Sequence, residues 1–260
     1  MLKNYALVVE YHGKKYSGWQ KQKESLSVQE EVEKSLSYIA NEPIKTICGG
    51  RTDKGVHASA QVINFKTKSK RNLNAWLFGT NAKLPEDINI CDVREVSKNF
   101  NARTSALYRR YQYIIYQEAF KSSLWKNHAV WINQDLDIKK MNSACQYIIG
   151  EHDFTSFRSS QCQSLSAKRY IHHANFNKKK KFLIFEIKGN AFLHHMVRNI
   201  VGTLLEIGLN KKNPQSIKDI LVFKNRRQAG KTMPPQGLYL VEIGYPKKFK
   251  INANRGIKFL

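Results

Sequence analysis

Acidic side chains are scarce in this 260-residue chain: 20 Asp and Glu stand against 44 Lys and Arg, a formal charge of +24. Such an excess repels itself unless a polyanion is the usual partner, so nucleic acid is the first partner to consider. Cysteine is sparse too. Cys48, Cys91, Cys145 and Cys162 form no CxxC pair, which argues against a disulfide framework and for free thiols in a reducing compartment. No run of about 18 apolar residues occurs, so no membrane association is expected. The start, Met1-Leu2-Lys3-Asn4-Tyr5, lacks signal-peptide anatomy, and a cytoplasmic location is expected. There is no P-loop and no GxGxxG, hence no expected nucleotide cofactor. The doublets His172-His173 and His194-His195 come without HExxH or a Cys/His ladder, so no metal is expected. A DNA reader would carry a helix-turn-helix or zinc pattern, and neither is present.

What is present is enough for a folded protein. Hydrophobic residues make up 42% and aromatics 11%, which excludes global disorder. The length fits one large domain or two small ones. The charge is unevenly spread: residues 1–60 hold 9 basic and 7 acidic side chains, the other 200 hold 35 and 13. A positive charge carried on folded segments suggests a broad surface lying along phosphates.

Periodicity gives the elements. Tyr5–Tyr11 reads as a strand. Ser27 and Glu30 form a capping box ahead of Val28, Val32, Leu36 and Ile39 at helical spacing, with Pro43 as a stop. Ile44–Cys48 is a short apolar run ahead of a loop, Gln61–Phe65 and Ile88–Val96 read as strands, and 72–80 as a short helix. This is a β-α-β-β-α-β order, the split βαβ pattern of ferredoxin-like domains. In the second half, Leu107–Tyr116 is a predicted strand and Leu136–Ile148 a helix. Tyr170–Phe176 and Phe182–Lys188 form a hairpin, Asn190–Ile207 a long apolar helix, Pro214–Phe223 a shorter one, and Leu238–Tyr245 a last strand. The expected architecture is α+β: two ferredoxin-like-derived halves with mainly antiparallel sheet and a central active-site cleft. The expected domains are 1–105, 106–246 and a basic tail, 247–260.

The loop Gly49-Gly50-Arg51-Thr52-Asp53-Lys54-Gly55 is the most informative stretch. Its glycines permit positive φ and close backbone approach. Aspartate, with an ordinary pKa of about 3.9, supplies a carboxylate nucleophile or base without any cofactor. By composition alone the segment is equally a plain turn, since Gly, Asp and Thr are turn formers.

Gly50-Arg51-Thr52-Asp53-Lys54-Gly55-Val56-His57-Ala58 resembles the signature loop of the tRNA pseudouridine synthase A family. Six further blocks recur in family order: Phe100-Asn101-Ala102-Arg103, Arg109-Arg110-Tyr111-Gln112-Tyr113, Asp153–Arg158, Gln161-Cys162-Gln163-Ser164, His194–Asn199 and Gly237–Leu240. The resemblance covers the chain from about residue 5 to residue 245.

The resemblance implies isomerisation of uridines 38, 39 and 40 in the anticodon stem-loop of tRNA, needing no cofactor. It implies that Asp53 is catalytic, acting at C6, at C1′ or through a glycal; the sequence leaves these open. Arg198 is the implied partner of that aspartate, and Tyr111 the implied stacking residue that helps remove the C5 proton. Arg51 is implied to fill the space the flipped base leaves. Arg71 is a further implied tRNA contact, as are Phe100, Asn101, Ala102, Arg103 and Thr104, and Gln161, Cys162, Gln163 and Ser164. A homodimer is implied as well. The chain departs from the family pattern at Leu165, where arginine is usual, and at Gln236, where histidine is common. The competing reading is a catalytically inactive basic tRNA-binding or chaperone module of the same ancestry.

Overall fold

The computed structural model describes residues 1–257. The chain divides into two compact units, Met1–Arg109 with Tyr239–Leu260, and Arg110–Leu238. Each is α+β with mostly antiparallel sheet. The cut is not the simple one near residue 105. The last strand, expected in the second half, belongs to the first unit.

The first unit is built on β1 (Lys3–Tyr11), β2 (Ile47–Cys48), β3 (His57–Thr67), β4 (Ile88–Val96) and β10 (Leu238–Gly244). β1 lies antiparallel to both β3 and β4, and β2 antiparallel to β3. The order β4-β1-β3-β2 is therefore the split βαβ arrangement. β2 is only two residues long because β3 shares that edge. β10 pairs in parallel at His57 and Ala58, and β2 follows at Ile63 and Asn64.

The helix α1 (Val28–Ala40) starts where the capping box put it. Ser27 Oγ accepts from the Glu30 amide at 3.3 Å, and the helix ends in left-handed Asn41, before Pro43. The short helix at 73–81 is wound as a π-helix over Ala75–Gly79. Trp76 on it is fully buried against Tyr5 and Phe65, at ring distances of 5.5 and 5.1 Å. That ring packs on one face of the sheet. Segment 97–102 covers the other: the Ala102 amide donates to Asn64 Oδ1, and Asn4 Nδ2 to the Phe100 carbonyl. Both faces being covered, β3 is buried along nearly its whole length.

The second unit runs β5 (Tyr108–Gln117), β9 (Phe182–Gly189), β8 (Lys168–Lys179), β7 (Gly150–Asp153), with β6 (Val130–Ile132) parallel to β5. β6 and β7 escape sequence reading because both are shorter than one period of reliable alternation. β9 alternates cleanly: Leu183, Phe185 and Ile187 are buried while Phe182, Ile184 and Glu186 are half-exposed. Helix α2 (Ile138–Cys145) is capped by Asp137 and tied to β8 by Asn142, which donates to the Phe176 carbonyl and accepts from its amide.

The long helix expected from Asn190 begins only at Met196: α3 is Met196–Gly208. Asn190 instead extends the hairpin, donating to the Tyr170 carbonyl and accepting from the Tyr170 and Ala191 amides. His195 then adopts a left-handed φ of 62°, which no helix interior tolerates. α4 is Ser216–Phe223, two residues inside the expected start.

Of the cysteines, Cys145 is a core residue and the other three are half-exposed. The C-terminal stretch is not a detached tail as far as it is described. Phe249 packs on Phe100, Ala253 is buried, and the Arg255 amide donates to Val241. Residues 258–260 of that stretch lie outside the described residues. No helix among the described residues is long and apolar enough to cross a membrane.

Candidate active site

The loop bearing Asp53 hangs between β2 and β3 and is fastened backbone to backbone. Thr52 is held twice: its carbonyl accepts from the Trp19 amide at 3.1 Å, and its hydroxyl shares a 2.7 Å hydrogen bond with Tyr11. The Val56 amide donates to the Asp53 carbonyl at 3.1 Å, closing a tight turn, and the Gly55 amide donates to the Tyr16 carbonyl. Gly55 has φ 78°, as a glycine at that place suggested, while Gly49 and Gly50 do not take positive φ.

Two glycines outside the loop make the fit possible. A Cβ on Gly13 would sit 1.9 Å from the Val56 carbonyl oxygen, and one on Gly18 2.5 Å from that of Thr52. Segment 13–19 and the loop thus touch backbone against backbone. The same segment meets α1, whose first amides at Val28 and Gln29 donate to the carbonyls of Gly18 and Trp19. The loop is in effect tethered to a helix N-terminus. The contacts of Gly13, Gly18 and Trp19 with the loop carry no signal in the sequence, because those backbones meet only once the chain is folded.

The loop's entry is clamped by Arg109. Its Nε and one terminal nitrogen donate to the Gly49 carbonyl at 2.9 and 2.6 Å, and that nitrogen also to the Arg103 carbonyl. Asp53 itself is half-buried and Arg51 exposed. Cys48, four residues upstream of Thr52, is a poor rival nucleophile. Burial pushes its thiol up to about 11, against the opposing pull of Arg51, so it stays protonated at neutral pH.

In the second unit, Tyr111 lies on β5 beside Tyr113 in sequence alternation, both buried. Its ring meets Phe192 edge-on at 5.1 Å. Arg198, in the first turn of α3, is half-buried, and its Nε donates to the Met233 carbonyl at 2.6 Å. The Met233 amide returns a bond to the Arg198 carbonyl. Tyr113 donates to the Pro234 carbonyl at 2.7 Å; burial raises its phenol pKa, opposed by the charge of Arg198, so it remains a neutral donor.

The remaining expected contacts sort by exposure. Phe100 and Ala102 are core residues, with Phe100 ringed by Tyr245 and Phe249; only Arg103 and Thr104 of that block are exposed. Hydrophobic burial takes precedence there, since a fully buried side chain has no surface to offer RNA. Asn101 Oδ1 caps the turn by accepting from Arg103 and Thr104. Gln161 and Gln163 are exposed, Cys162 and Ser164 half-exposed, in a loop where Leu165 has no burial at all. Arg71 is exposed, but its Nε is engaged by the Ile39 carbonyl at the end of α1.

The family described as tRNA pseudouridine synthase matches residues 7–104 and 144–246. The tRNA pseudouridine synthase A of Francisella tularensis subsp. holarctica is 53% identical over 246 residues, 95% of either chain. Its namesakes from Francisella tularensis subsp. novicida and Francisella philomiragia subsp. philomiragia are each 52% identical over 246 residues, with 95% of either chain covered. A solved Cbf5-Nop10-Gar1 complex overlaps 91% of this chain and 57% of its own at 11% identity and a TM-score of 0.41. With a family match reaching into both units and more than half of the aligned positions shared with a named synthase, the chain belongs to the tRNA pseudouridine synthase family.

Proposed function

We propose that this synthase converts uridines 38, 39 and 40 of the tRNA anticodon stem-loop to pseudouridine, with Asp53 as the catalytic carboxylate. The N1–C1′ bond breaks, the uracil turns, C5 bonds to C1′, and the C5 proton leaves while N1 gains one. Attack at C6, attack at C1′ and glycal formation all use the carboxylate form of Asp53. The observation that supports this most is the double fastening of Thr52, which fixes the backbone from which the Asp53 side chain springs. A preorganised nucleophile needs such support, because small misplacements are costly in rate.

Tyr111 is proposed to stack on the target uracil. Arg198 is proposed to supply positive charge to the carboxylate once water is excluded, where an uncompensated anion would be several kcal/mol too costly. The target base must leave its stack, at a few kcal/mol, and Arg51 is proposed to occupy the vacated space. Arg71, Arg103 and Thr104, and the loop Gln161–Ser164 are proposed to contact RNA, with Phe100 and Ala102 anchoring their segment from the core. The excess of Lys and Arg suits backbone and shape readout of A-form RNA. We place the enzyme in the cytoplasm as a homodimer; light scattering at working concentration checks the latter.

The decisive assay is tritium release from C5-labelled uridine in an anticodon stem-loop transcript. Wild type releases tritium, and Asp53→Asn binds the transcript but releases none. Turnover in Asp53→Asn would overturn the assignment. A transcript with cytidine at all three positions should be inert, and release from labelled uridine elsewhere in it would overturn the site choice. No observation favours the inactive binding module.

A further inference from the structure

We propose that Arg226, together with Thr232 and Asn199, positions Arg198 for the reaction; the inference rests on the reading of Arg198 given above. Arg198 has a long side chain with many rotamers, and the bond from its Nε to the Met233 carbonyl restricts where its guanidinium lies. That carbonyl is only as fixed as the segment carrying it, residues 229–234, which has no regular secondary structure before Pro235.

The segment is pinned at successive residues to α3, the helix that carries Arg198. The Gly230 amide donates to Thr203 Oγ1 at 2.8 Å. A Cβ on Gly202 would lie 1.9 Å from the Lys231 carbonyl oxygen. Thr232 Oγ1 donates to Asn199 Oδ1 at 2.6 Å, and Asn199 is the residue after Arg198. Arg226 binds this junction together. One terminal nitrogen donates to both Asn199 Oδ1 and Thr232 Oγ1 at 3.0 Å, and the other to the Ala229 carbonyl at 3.1 Å. Asn199, fully buried, completes the set by donating to the Phe157 carbonyl at 2.7 Å.

A half-buried guanidinium is a costly way to hold a loop, since burial disfavours its charge and Glu206 only partly compensates. Apolar side chains would give stability more cheaply. A satisfied polar network instead specifies one geometry, and the geometry specified here is that of the Met233 carbonyl.

The test compares single-turnover tritium release, tRNA affinity and Tm across Arg226→Ala, Thr232→Val, Thr232→Ser, Arg198→Lys and the double variant Arg226→Ala/Arg198→Lys. Arg226→Ala should slow the chemical step by about 10- to 100-fold with tRNA affinity unchanged. Thr232→Val should also slow it, and Thr232→Ser, which keeps the hydroxyl, should restore the rate. In the Arg198→Lys background, loss of Arg226 should slow the reaction no further. Multiplying losses in the double variant, equal rates for the two Thr232 variants, or full rate in folded Arg226→Ala would each overturn the proposal. Full rate in Arg198→Lys would instead overturn the reading of Arg198 itself.

Discussion

The loop of Asp53 and the surroundings of Arg198 are held in place by different means. Both use a glycine where backbones touch, Gly13 and Gly18 in one case and Gly202 in the other. The loop is then finished largely by main-chain bonds, from Trp19 to Thr52, Val56 to Asp53 and Gly55 to Tyr16. Arg198 is finished by side chains, through Asn199, Thr232, Arg226 and Tyr113. The lesson concerns tolerance. A main-chain clamp ignores most polar substitutions and fails to added bulk, whereas a side-chain network fails to loss of a single donor.

The largest effect that would break this contrast is expected at Gly13 and Gly18. Gly13→Ala puts a methyl into the Val56 carbonyl, and Gly18→Ala adds the strain of φ 97°. Each should cost about 1–3 kcal/mol of stability and remove most turnover, read by thermal melting and tritium release. A stable, active Gly13→Ala would show that the loop is not clamped by its backbone. A smaller effect is expected at Tyr11. Tyr11→Phe removes one of the two fastenings of Thr52 and should cost about 0.5–1.5 kcal/mol while slowing the chemical step less than Thr232→Val does, because the main-chain bond from Trp19 remains. Equal rate losses in those two variants would erase the distinction between the two regions. The smallest effect sharpens the picture at the surface. Arg71→Ala should weaken tRNA binding and lower the slope of log K against log salt by about 1, with turnover at saturating tRNA unchanged. An unaltered slope would mean that Arg71 serves only the end of α1.

Much of the scaffold was legible in the residues. The capping box at Ser27 and Glu30 fixed the start of α1, because a cap is a local hydrogen-bond pattern written within four residues. The β8–β9 hairpin was legible because a lysine run divides two alternating stretches, although β8 extends into that run, with Asn177, Lys178 and Lys179 paired to Ile184, Leu183 and Phe182. The start of α3 was misread for the opposite reason: Ala191, Phe192, Leu193, Met196 and Val197 extend the apolar pattern of α3 backwards, but Asn190 is claimed by Tyr170 on β8. β10 was likewise assigned to the wrong half, since its pairing with β3 joins residues some 180 positions apart along the chain.

The candidate site divides in the same way. Its proposed reactive members, Asp53, Tyr111 and Arg198, stand out as residue types within recognisable blocks. Their supports do not. Gly13, Gly18, Met233 and Arg226 are ordinary letters in the sequence, and the burial of Phe100 and Ala102 is decided by Asn64, Tyr245 and Phe249.

The sequence by itself determined the kind of chemistry and the local elements, because reactive groups, caps and alternation are properties of neighbouring residues. Tertiary structure alone decided which backbone carbonyl meets which amide or guanidinium. Those distances depend on segments brought together only when the core closes.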